Sequence, residues 1–212
     1  MLELPEPGPI PLWKRIFVFP PGRLLFRVLM TLYGRASVRG AYRVPRTGGV
    51  LILPNHRADV DPMLVQMASP RNIHFMAKSE LFSMPVLGTL LRLINVFPVK
   101  QGESDRGAIR RSVELLKKGE VVCIFPEGQL SETGDLQQIK PGVALIIRLS
   151  DPEVICIGLK NTDRMLPYGK LIPRPTWHKV SAMWGEPRKF PKDTPPEEIT
   201  GWIEGQLREL TD

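Results

Sequence analysis

Short apolar runs alternate with helix-compatible segments along most of the chain. The runs are rich in valine, isoleucine and leucine and end at turn residues, which predicts strands at residues 50–53, 73–77, 96–99, 121–125, 153–159 and 179–184. Between them, apolar residues spaced three and four apart predict helices at residues 62–67, 79–93, 104–118, 141–149 and 196–210. This alternation predicts a single-domain α/β fold, a mixed sheet covered by helices.

Capping residues indicate where several of these helices begin and end. Ser104 is expected to cap a helix that ends before Gly119. Asp61 is expected to cap the helix that Pro62 opens, because proline is well tolerated at the first helical position. A further break is expected at Pro85, within residues 79–93.

The segment before the first strand has a different character. Residues 1–11 are proline-rich and predict an extended lead-in, whereas residues 12–33 form two apolar, aromatic runs that predict two short helices joined at residues 20–22, Pro-Pro-Gly. Every charged residue from 12 to 43 is basic. The helices therefore either lie in a membrane interface or cover the core as ordinary amphipathic helices, and the lack of acidic residues favours the interface.

Membrane-spanning and secretory segments are not expected from this start. Arg15, Pro20 and Arg27 interrupt the apolar runs, and a transmembrane helix needs about 20 mostly apolar residues. The acidic, proline-containing N-terminus carries no cleavage-site pattern, so no signal peptide is predicted.

Composition and charge narrow the possible partners. The 212 residues carry a net charge of +7, which favours an anionic partner such as a nucleic acid, a lipid surface, or a phosphorylated or CoA-like substrate. A nucleic acid fits poorly, because no DNA- or RNA-binding motif is present and the basic residues are mixed with apolar ones. Cys123 and Cys156 lie in apolar runs and are expected to be buried free thiols. Only three histidines are present, so no metal site is predicted.

The first candidate for chemistry is a histidine at a strand-to-helix turn. His56 follows the strand at 50–53 and could act as a general base near neutral pH. A nearby carboxylate could hold its imidazole in one tautomer, and Asp61 and Asp59 are both candidates. Alternatively, Asp61 only caps its helix and His56 is a polar turn residue.

Two further stretches could bind a ligand. Glu127 and Gly128 follow the strand at 121–125; the glutamate could bind a hydroxyl or a basic group, or simply face solvent, and the glycine allows close backbone approach. Lys140 stands directly before a predicted helix and could help to form an anion site, or be an ordinary solvated lysine.

Taken together, the blocks resemble the lysophospholipid acyltransferase family, glycerolipid acyltransferases of the 1-acylglycerol-3-phosphate type. The blocks are His56 with Asp61 in a His-x4-Asp motif, residues 97–100 (Phe-Pro-Val-Lys), residues 125–128 (Phe-Pro-Glu-Gly) and residues 140–142 (Lys-Pro-Gly). The resemblance covers about residues 37–190. Together with the apolar, basic composition of the N-terminal segment, it predicts membrane-interface helices over residues 1–36 and an acyltransferase domain over residues 37–212.

The resemblance also implies roles for the residues of the blocks. His56 would be the catalytic base and Asp61 its charge-relay partner. Asn55, which opens the first block, and Glu127 with Gly128 would help to bind the substrates. The reaction would move a fatty acyl group from acyl-CoA or acyl-carrier protein to a lipid hydroxyl, without a cofactor, metal or covalent enzyme intermediate.

The remaining blocks bear on the acceptor and the donor. Lys100 occupies the place of a family arginine that binds the acceptor phosphate, Lys140 could add a second cation, and residues 154–157 fall where the family has an apolar block associated with the donor. Arg106 is a further candidate for the phosphate.

This chain departs from the family pattern at the acceptor site. Leu130 stands where the family has an arginine, and Lys100 is a point charge rather than a planar fork. The expected acceptor is 1-acyl-sn-glycerol-3-phosphate, giving phosphatidic acid. The alternatives are the same chemistry on another lysolipid or hydroxylated acceptor, or a non-catalytic membrane-binding protein. The expected location is the cytoplasmic side of the membrane, peripheral or monotopic, with membrane lipids as partners and no nucleic acid.

Overall fold

A seven-stranded mixed sheet forms the centre of the computed structural model, which describes residues 9–99, 106–170 and 172–212. In chain order the strands are β1 (Ser37–Arg39), β2 (Val50–Pro54), β3 (His74–Lys78), β4 (Val96–Val99), β5 (Val121–Cys123), β6 (Glu153–Lys160) and β7 (Ser181–Trp184). Their spatial order is β1-β7-β6-β2-β5-β3-β4. Only the β6–β7 pair is antiparallel among these strands, so the predicted α/β fold with a mixed sheet is confirmed.

Helices cover both faces of the sheet. They are α1 (Leu12–Phe17), α2 (Phe19–Gly34), α3 (Asp61–Ala68), α4 (Pro85–Leu93), α5 (Arg106–Lys117), α6 (Gly142–Ser150), α7 (Thr162–Met165) and α8 (Pro196–Thr211). One core layer joins the sheet to α2, α3 and α7, and the other joins it to α5, α6 and α8. Short 3-10 turns at Ala41–Arg43 and Ser79–Ser83 complete the described elements.

The strand β2 lies in the middle of the sheet and is buried along its whole length. Its neighbours β5 and β6 run parallel to it, with Leu51 opposite both Val122 and Val154. A strand covered on both faces must be apolar throughout, which explains its Val-Leu-Ile-Leu run. The residues after β2 therefore emerge in the middle of the carboxyl edge of the sheet.

Most of the predicted helices and strands are found close to their expected bounds. The break expected at Pro85 is present, because a 3-10 turn at Ser79–Ser83 precedes α4. The short elements β1 and α7 were not expected, since three or four residues carry too little periodicity to predict them. The predicted cap Ser104 lies outside the described residues. The two cysteines are buried, as predicted.

The N-terminal helices differ from the prediction in where they are divided. The junction lies at Val18, and Pro20, Pro21 and Gly22 belong to the first turn of α2. Proline is tolerated there because the first N–H groups of a helix have no intrahelical partner. By length and composition the stretch Leu12–Gly34 could cross a membrane, contrary to the expectation from its interrupted apolar runs, and only 11% of its most apolar window is buried.

Both ends of this N-terminal segment are fixed to the globular part of the chain. Arg15 forms an ion pair of 2.8 Å with Glu120, immediately before β5. At the other end, the backbone N–H groups of Thr176 and Val180 donate to the carbonyl oxygens of Tyr33 and Gly34, at 2.7 and 2.8 Å. Helix α2 also packs against α3. The segment is therefore part of the folded body.

Candidate active site

The candidate site lies at the carboxyl edge of the sheet, where β2 and β5 end side by side. His56 follows β2 by two residues, and Glu127 follows β5 by four. The two strands are parallel neighbours, so the loops that leave them meet at one edge. In open α/β sheets this edge is the usual position for a ligand site.

A buried aspartate holds the His56 ring. The Nδ1 atom of His56 lies 3.0 Å from Oδ2 of Asp61. The same oxygen accepts hydrogen bonds from the backbone N–H groups of Arg57, at 2.6 Å, and Ala58, at 2.8 Å. Asp61 is fully buried. Three donors thus fix the position of the carboxylate under the imidazole.

The predicted helix cap at Asp61 is wrong. Asp61 is the first residue of α3, the N-cap residue is Val60, and no side chain caps this helix end. The carboxylate turns back over the loop of residues 56–60 instead of onto the helix N–H groups. Of the alternatives left open by the sequence, the histidine–aspartate pair is the one that forms, and Asp59 lies exposed beside it.

The other side of the imidazole is defined by an aromatic ring. Phe125 stacks on His56 with ring centroids 3.9 Å apart and an interplanar angle of 25°. The His56 side chain retains 16% exposure. A carboxylate at Nδ1 stabilises the tautomer that carries its proton there, which leaves the Nε2 lone pair to accept a proton. The stacking restricts the ring to one plane.

Glu127 holds the backbone of His56 in place. Its Oε1 atom accepts the His56 N–H at 2.8 Å, and its Oε2 atom accepts the Gln137 N–H at 2.8 Å. On the other side of the same residue, the Ser131 N–H donates to the His56 carbonyl at 3.0 Å. The loop of residues 127–131 therefore binds both the backbone N–H and the backbone carbonyl of the histidine.

The ionisation of Glu127 reflects its buried position. Burial raises the pKa of its carboxyl group above the ordinary value of 4.5, and the two backbone N–H donors offset part of this increase. Glu127 does not face solvent, as one interpretation of the sequence had it. Both of its oxygens are used by the backbone, so a direct contact with substrate stays a prediction.

Asn55 joins two strand ends. Its Nδ2 group donates to the carbonyl of Leu159 at 3.0 Å, and its Oδ1 accepts the Leu159 N–H at 2.7 Å. Both bonds are buried, and they tie the end of β2 to the end of β6. This contact positions the residue before His56; the predicted contact of Asn55 with substrate stays a prediction.

The structure places two of the three predicted cationic residues, Lys140 and Arg106. Gly128 adopts a left-handed conformation with φ of +73°, and a Cβ there would lie 3.3 Å from the side chain of Lys140. Lys140 is exposed, and its backbone N–H donates to Pro126 at 2.8 Å. Lys140 thus lies directly beside the Glu-Gly turn. Arg106 is the exposed first residue of α5, and Lys100 lies outside the described residues.

Three residues with contacts at or beside His56 were not predicted from the sequence. Phe125 stacks on the histidine, Ser131 binds its carbonyl, and Arg57 forms an ion pair with Asp163 of α7, Nε to Oδ1, at 3.0 Å. The guanidinium of Arg57 also lies against Gly134. Its position next to His56 was the available signal, since a basic residue beside a candidate base suggests an anionic substrate.

Replacing Glu127 with glutamine tests how much its two hydrogen bonds to backbone N–H groups stabilise the fold. Glutamine has one acceptor oxygen, so one of the two N–H groups bound by Glu127 loses its partner. We expect the free energy of unfolding, measured by urea denaturation at neutral pH, to fall by about 1–3 kcal/mol. The exposed Glu132→Gln serves as a control and is expected to change little. Equal stability of the two variants would contradict this role.

The pH dependence of that difference has a defined sign. The pKa of Glu127 is raised in the folded state, so its contribution to stability is present below the unfolded pKa and is lost as the pH rises through the folded pKa. We therefore expect the stability advantage of the wild type over Glu127→Gln to be larger at acid pH than at neutral pH. An advantage that grows on the alkaline side would reverse this assignment.

The fold and the site together define an α/β protein with a histidine–aspartate pair at the carboxyl edge of its sheet, an arrangement suited to proton transfer. The chain belongs to the Acyltransferase family, whose sequence model matches residues 35–160. The predicted family relationship is therefore confirmed. The match includes β2, β5, all of β6 and every residue of the histidine–aspartate and Glu-Gly blocks.

Two relatives with sequence similarity support the same family membership. The chain is 31% identical over 130 residues to the 1-acyl-sn-glycerol-3-phosphate acyltransferase of Bacillus subtilis, covering 61% of this chain and 64% of that protein. It is 26% identical over 161 residues to the chloroplastic LPAT1 of Arabidopsis thaliana, a 1-acyl-sn-glycerol-3-phosphate acyltransferase, covering 74% of this chain and 42% of that protein. The matched part is thus less than two thirds of either relative.

A solved structure shares the fold. The crystal structure of the 1-acyl-sn-glycerophosphate (LPA) acyltransferase PlsC from Thermotoga maritima superposes with a TM-score of 0.77 at 23% identity. The superposition covers 92% of this chain and 79% of that one. The uncovered 8% of the chain is shorter than residues 12–34, so the superposition includes at least part of the N-terminal helical segment.

Proposed function

We propose that the protein transfers a fatty acyl group from a thioester to the free hydroxyl of a lysophospholipid. The favoured acceptor is 1-acyl-sn-glycerol-3-phosphate, which would give phosphatidic acid, and the donor would be acyl-CoA or acyl-carrier protein. The observation that carries the proposal is the 3.0 Å contact between His56 Nδ1 and the buried Asp61, which leaves Nε2 to act as a base.

The proposed reaction uses this pair twice. Nε2 of His56 takes the proton of the acceptor hydroxyl as its oxygen attacks the thioester carbonyl. Asp61 stabilises the imidazolium that forms. When the tetrahedral intermediate collapses, the C–S bond breaks and the thiolate leaves with the proton from Nε2. The products are the ester and a free thiol, and His56 returns to its starting state.

Charge around the site supports an anionic acceptor. Arg57 adjoins the base, and Lys140 lies against Gly128. Arg57 lies within the His56–Asp61 block, and Lys140 opens the Lys-Pro-Gly block. A phosphate monoester would gain charge-assisted hydrogen bonds from such groups. Lys100 and Arg106 are proposed as further cations for the same phosphate.

One observation favours a second candidate acceptor. The half-buried Leu130, in the loop that holds His56, offers an apolar side chain where the family has an arginine. The same chemistry on a different lysolipid, or on another hydroxylated acceptor with less headgroup charge, follows from that substitution. The base and its partner serve either acceptor equally well.

A transfer assay with matched acceptors separates these candidates. Purified protein in detergent micelles would be incubated with a labelled acyl donor, either acyl-CoA or acyl-carrier protein. The acceptors would be a panel of lysolipids that differ only in headgroup. Preference for lysophosphatidic acid supports the favoured acceptor, and preference for a zwitterionic or neutral acceptor supports the second. No transfer to any lipid hydroxyl would refute the proposed function.

Replacing Leu130 with arginine tests the basis of acceptor choice. A guanidinium at this position could bind a phosphate bidentately, which contributes about 1.5–3 kcal/mol when the partner is charged. We expect kcat/KM for lysophosphatidic acid to rise by about tenfold, mainly through a lower KM. Leu130→Gln is the uncharged control. A gain of the same size for a neutral acceptor would rule out phosphate binding as the cause.

The place of the reaction is proposed to be the cytoplasmic side of a membrane, with the protein peripheral or monotopic. The apolar, largely uncovered stretch Leu12–Gly34 supports this location, because its charged residues are all basic. We propose that residues 1–36 form the membrane-interface segment and residues 37–212 the acyltransferase domain.

A further inference from the structure

Helix α4 carries two apolar stripes on different sides. Leu91 and the residue after the helix, Ile94, pack against the core. Val86, Leu90 and Leu93 follow the spacing of one helix face and are 84%, 47% and 37% exposed. A helix that is apolar on more than one side is normally covered on each of them. The outer stripe therefore indicates a contact beyond the folded chain.

The C-terminal end of helix α4 is bound to the N-terminal helix α1. Nζ of Lys14 donates to the carbonyl of Arg92 at 3.0 Å and to Oδ1 of Asn95 at 2.7 Å. These two acceptors lie at the C-terminal end of α4, so α1 begins next to it. Helix α1 also exposes large apolar side chains, namely Leu12, Trp13, Ile16 and Phe17. Lys14 thus links two helices that both expose apolar side chains.

The charges of these helices have a single sign. Helices α1, α2 and α4 contain no aspartate or glutamate, and their charged residues are Lys14, Arg15, Arg23, Arg27 and Arg92. Aliphatic and aromatic side chains mixed with basic groups are typical of surfaces that insert into the headgroup region of anionic membranes. This combination favours a bilayer over a protein partner, whose surface would carry both signs.

We propose that α4 is a second membrane-docking element, and that its outer stripe enters the interface of an anionic bilayer together with α1. The proposal rests on the proposed function at a membrane and adds an element outside residues 1–36. A contact at α4 as well as at α1 would give the domain two points of attachment. Two attachments restrict the orientation of the domain on the bilayer more than one does.

Site-specific fluorescence tests the proposal directly. Both native cysteines are buried, so a thiol-reactive, polarity-sensitive dye would label an introduced cysteine selectively. Val86→Cys and Leu90→Cys report on α4. Leu149→Cys is the matched control, because it is 49% exposed on α6, on the opposite face of the sheet. Leu24→Cys, at a site that is 64% exposed on α2, reports on the N-terminal segment.

The expected result is a blue shift of the dye at positions 86 and 90 when vesicles of phosphatidylcholine and phosphatidylglycerol are added, with quenching by brominated lipids. The dye at position 149 should not respond. A response at position 24 without one at 86 or 90 would overturn the proposal. So would a response at 86 to monomeric acyl-CoA without vesicles, since the stripe would then hold an acyl chain.

Binding measurements provide a second test. The double substitution Val86→Glu and Leu90→Glu should weaken sedimentation with anionic vesicles by about tenfold or more, because it removes apolar contact and adds repulsion. Leu145→Glu with Leu149→Glu, at the same spacing on α6, should have no effect. Equal losses in both variants, with unchanged thermal unfolding, would overturn the proposal. Absence of acyl transfer by the wild type in micelles would instead refute the proposed function.

Discussion

Replacing His56 with alanine is expected to lower the rate of acyl transfer by about 10²- to 10⁴-fold, the range that general-base catalysis contributes. The substitution removes the proposed proton acceptor but leaves the backbone bonds of residue 56 to Glu127 and Ser131 in place. The site should therefore keep its shape. Single-turnover kinetics with a labelled donor would measure the loss, and the KM values of both substrates should change little.

The exposed His178→Ala provides the control for this variant. It removes an imidazole without touching the carboxyl edge of β2 and should retain wild-type turnover. Thermal unfolding of His56→Ala should remain cooperative but occur at a lower temperature, since the ring is only 16% exposed and its loss removes one donor from the buried Asp61. Turnover of His56→Ala within a few-fold of wild type would eliminate the histidine as the base.

Replacing Asp61 with asparagine is expected to lower kcat by about 10²-fold or more while the KM values stay near those of the wild type. An amide oxygen can still accept the three hydrogen bonds now made to Oδ2, so the loop can keep its form. The negative charge that stabilises the imidazolium is lost, and a flipped amide would favour the wrong tautomer of His56. The loss should therefore fall on the chemical step.

Asp59→Asn is the matched control for Asp61→Asn. The two aspartates are two residues apart, but Asp59 is exposed whereas Asp61 is buried and bonded to the ring. The sequence left both as partners for the histidine. Comparable losses of kcat in both variants would mean that net charge near the site, rather than the specific bond to Nδ1, governs the rate.

The fold could be predicted from the sequence because its elements have strong local signals. The buried strand β2 is a continuous apolar run, and α5 and α8 repeat apolar residues at helical spacing. Pro20 and Pro21 show the limit of such signals. Proline ends a helix when it falls inside one and opens a helix when it falls in the first turn, and the neighbouring residues do not distinguish the two positions.

The site could be predicted only in part, because its residue identities are local but its contacts are not. His56 and Asp61 are close in sequence, and their pairing was one of three open interpretations, beside a pairing with Asp59 and a helix cap at Asp61. The bond from the His56 N–H to Glu127 joins residues 71 positions apart, and the Arg57–Asp163 pair joins residues 106 apart. A buried glutamate that binds backbone N–H groups has the same sequence signal as an exposed one.

The hydrogen bonds that join Glu127 and Ser131 to the backbone of His56 have a consequence for protein engineering. A designer who wished to change the acceptor would naturally exchange this loop for that of a relative, since Leu130 lies within it. Such a graft would retain both bonds to the backbone of residue 56, because the Glu-Gly pair is common to the family blocks and Ser131 donates through its backbone N–H, which any residue except proline supplies. Transplants that retain Glu127 and vary only residues 128–130 should therefore preserve turnover, so the proposed effect of Leu130 on acceptor choice can be measured separately from the positioning of residue 56.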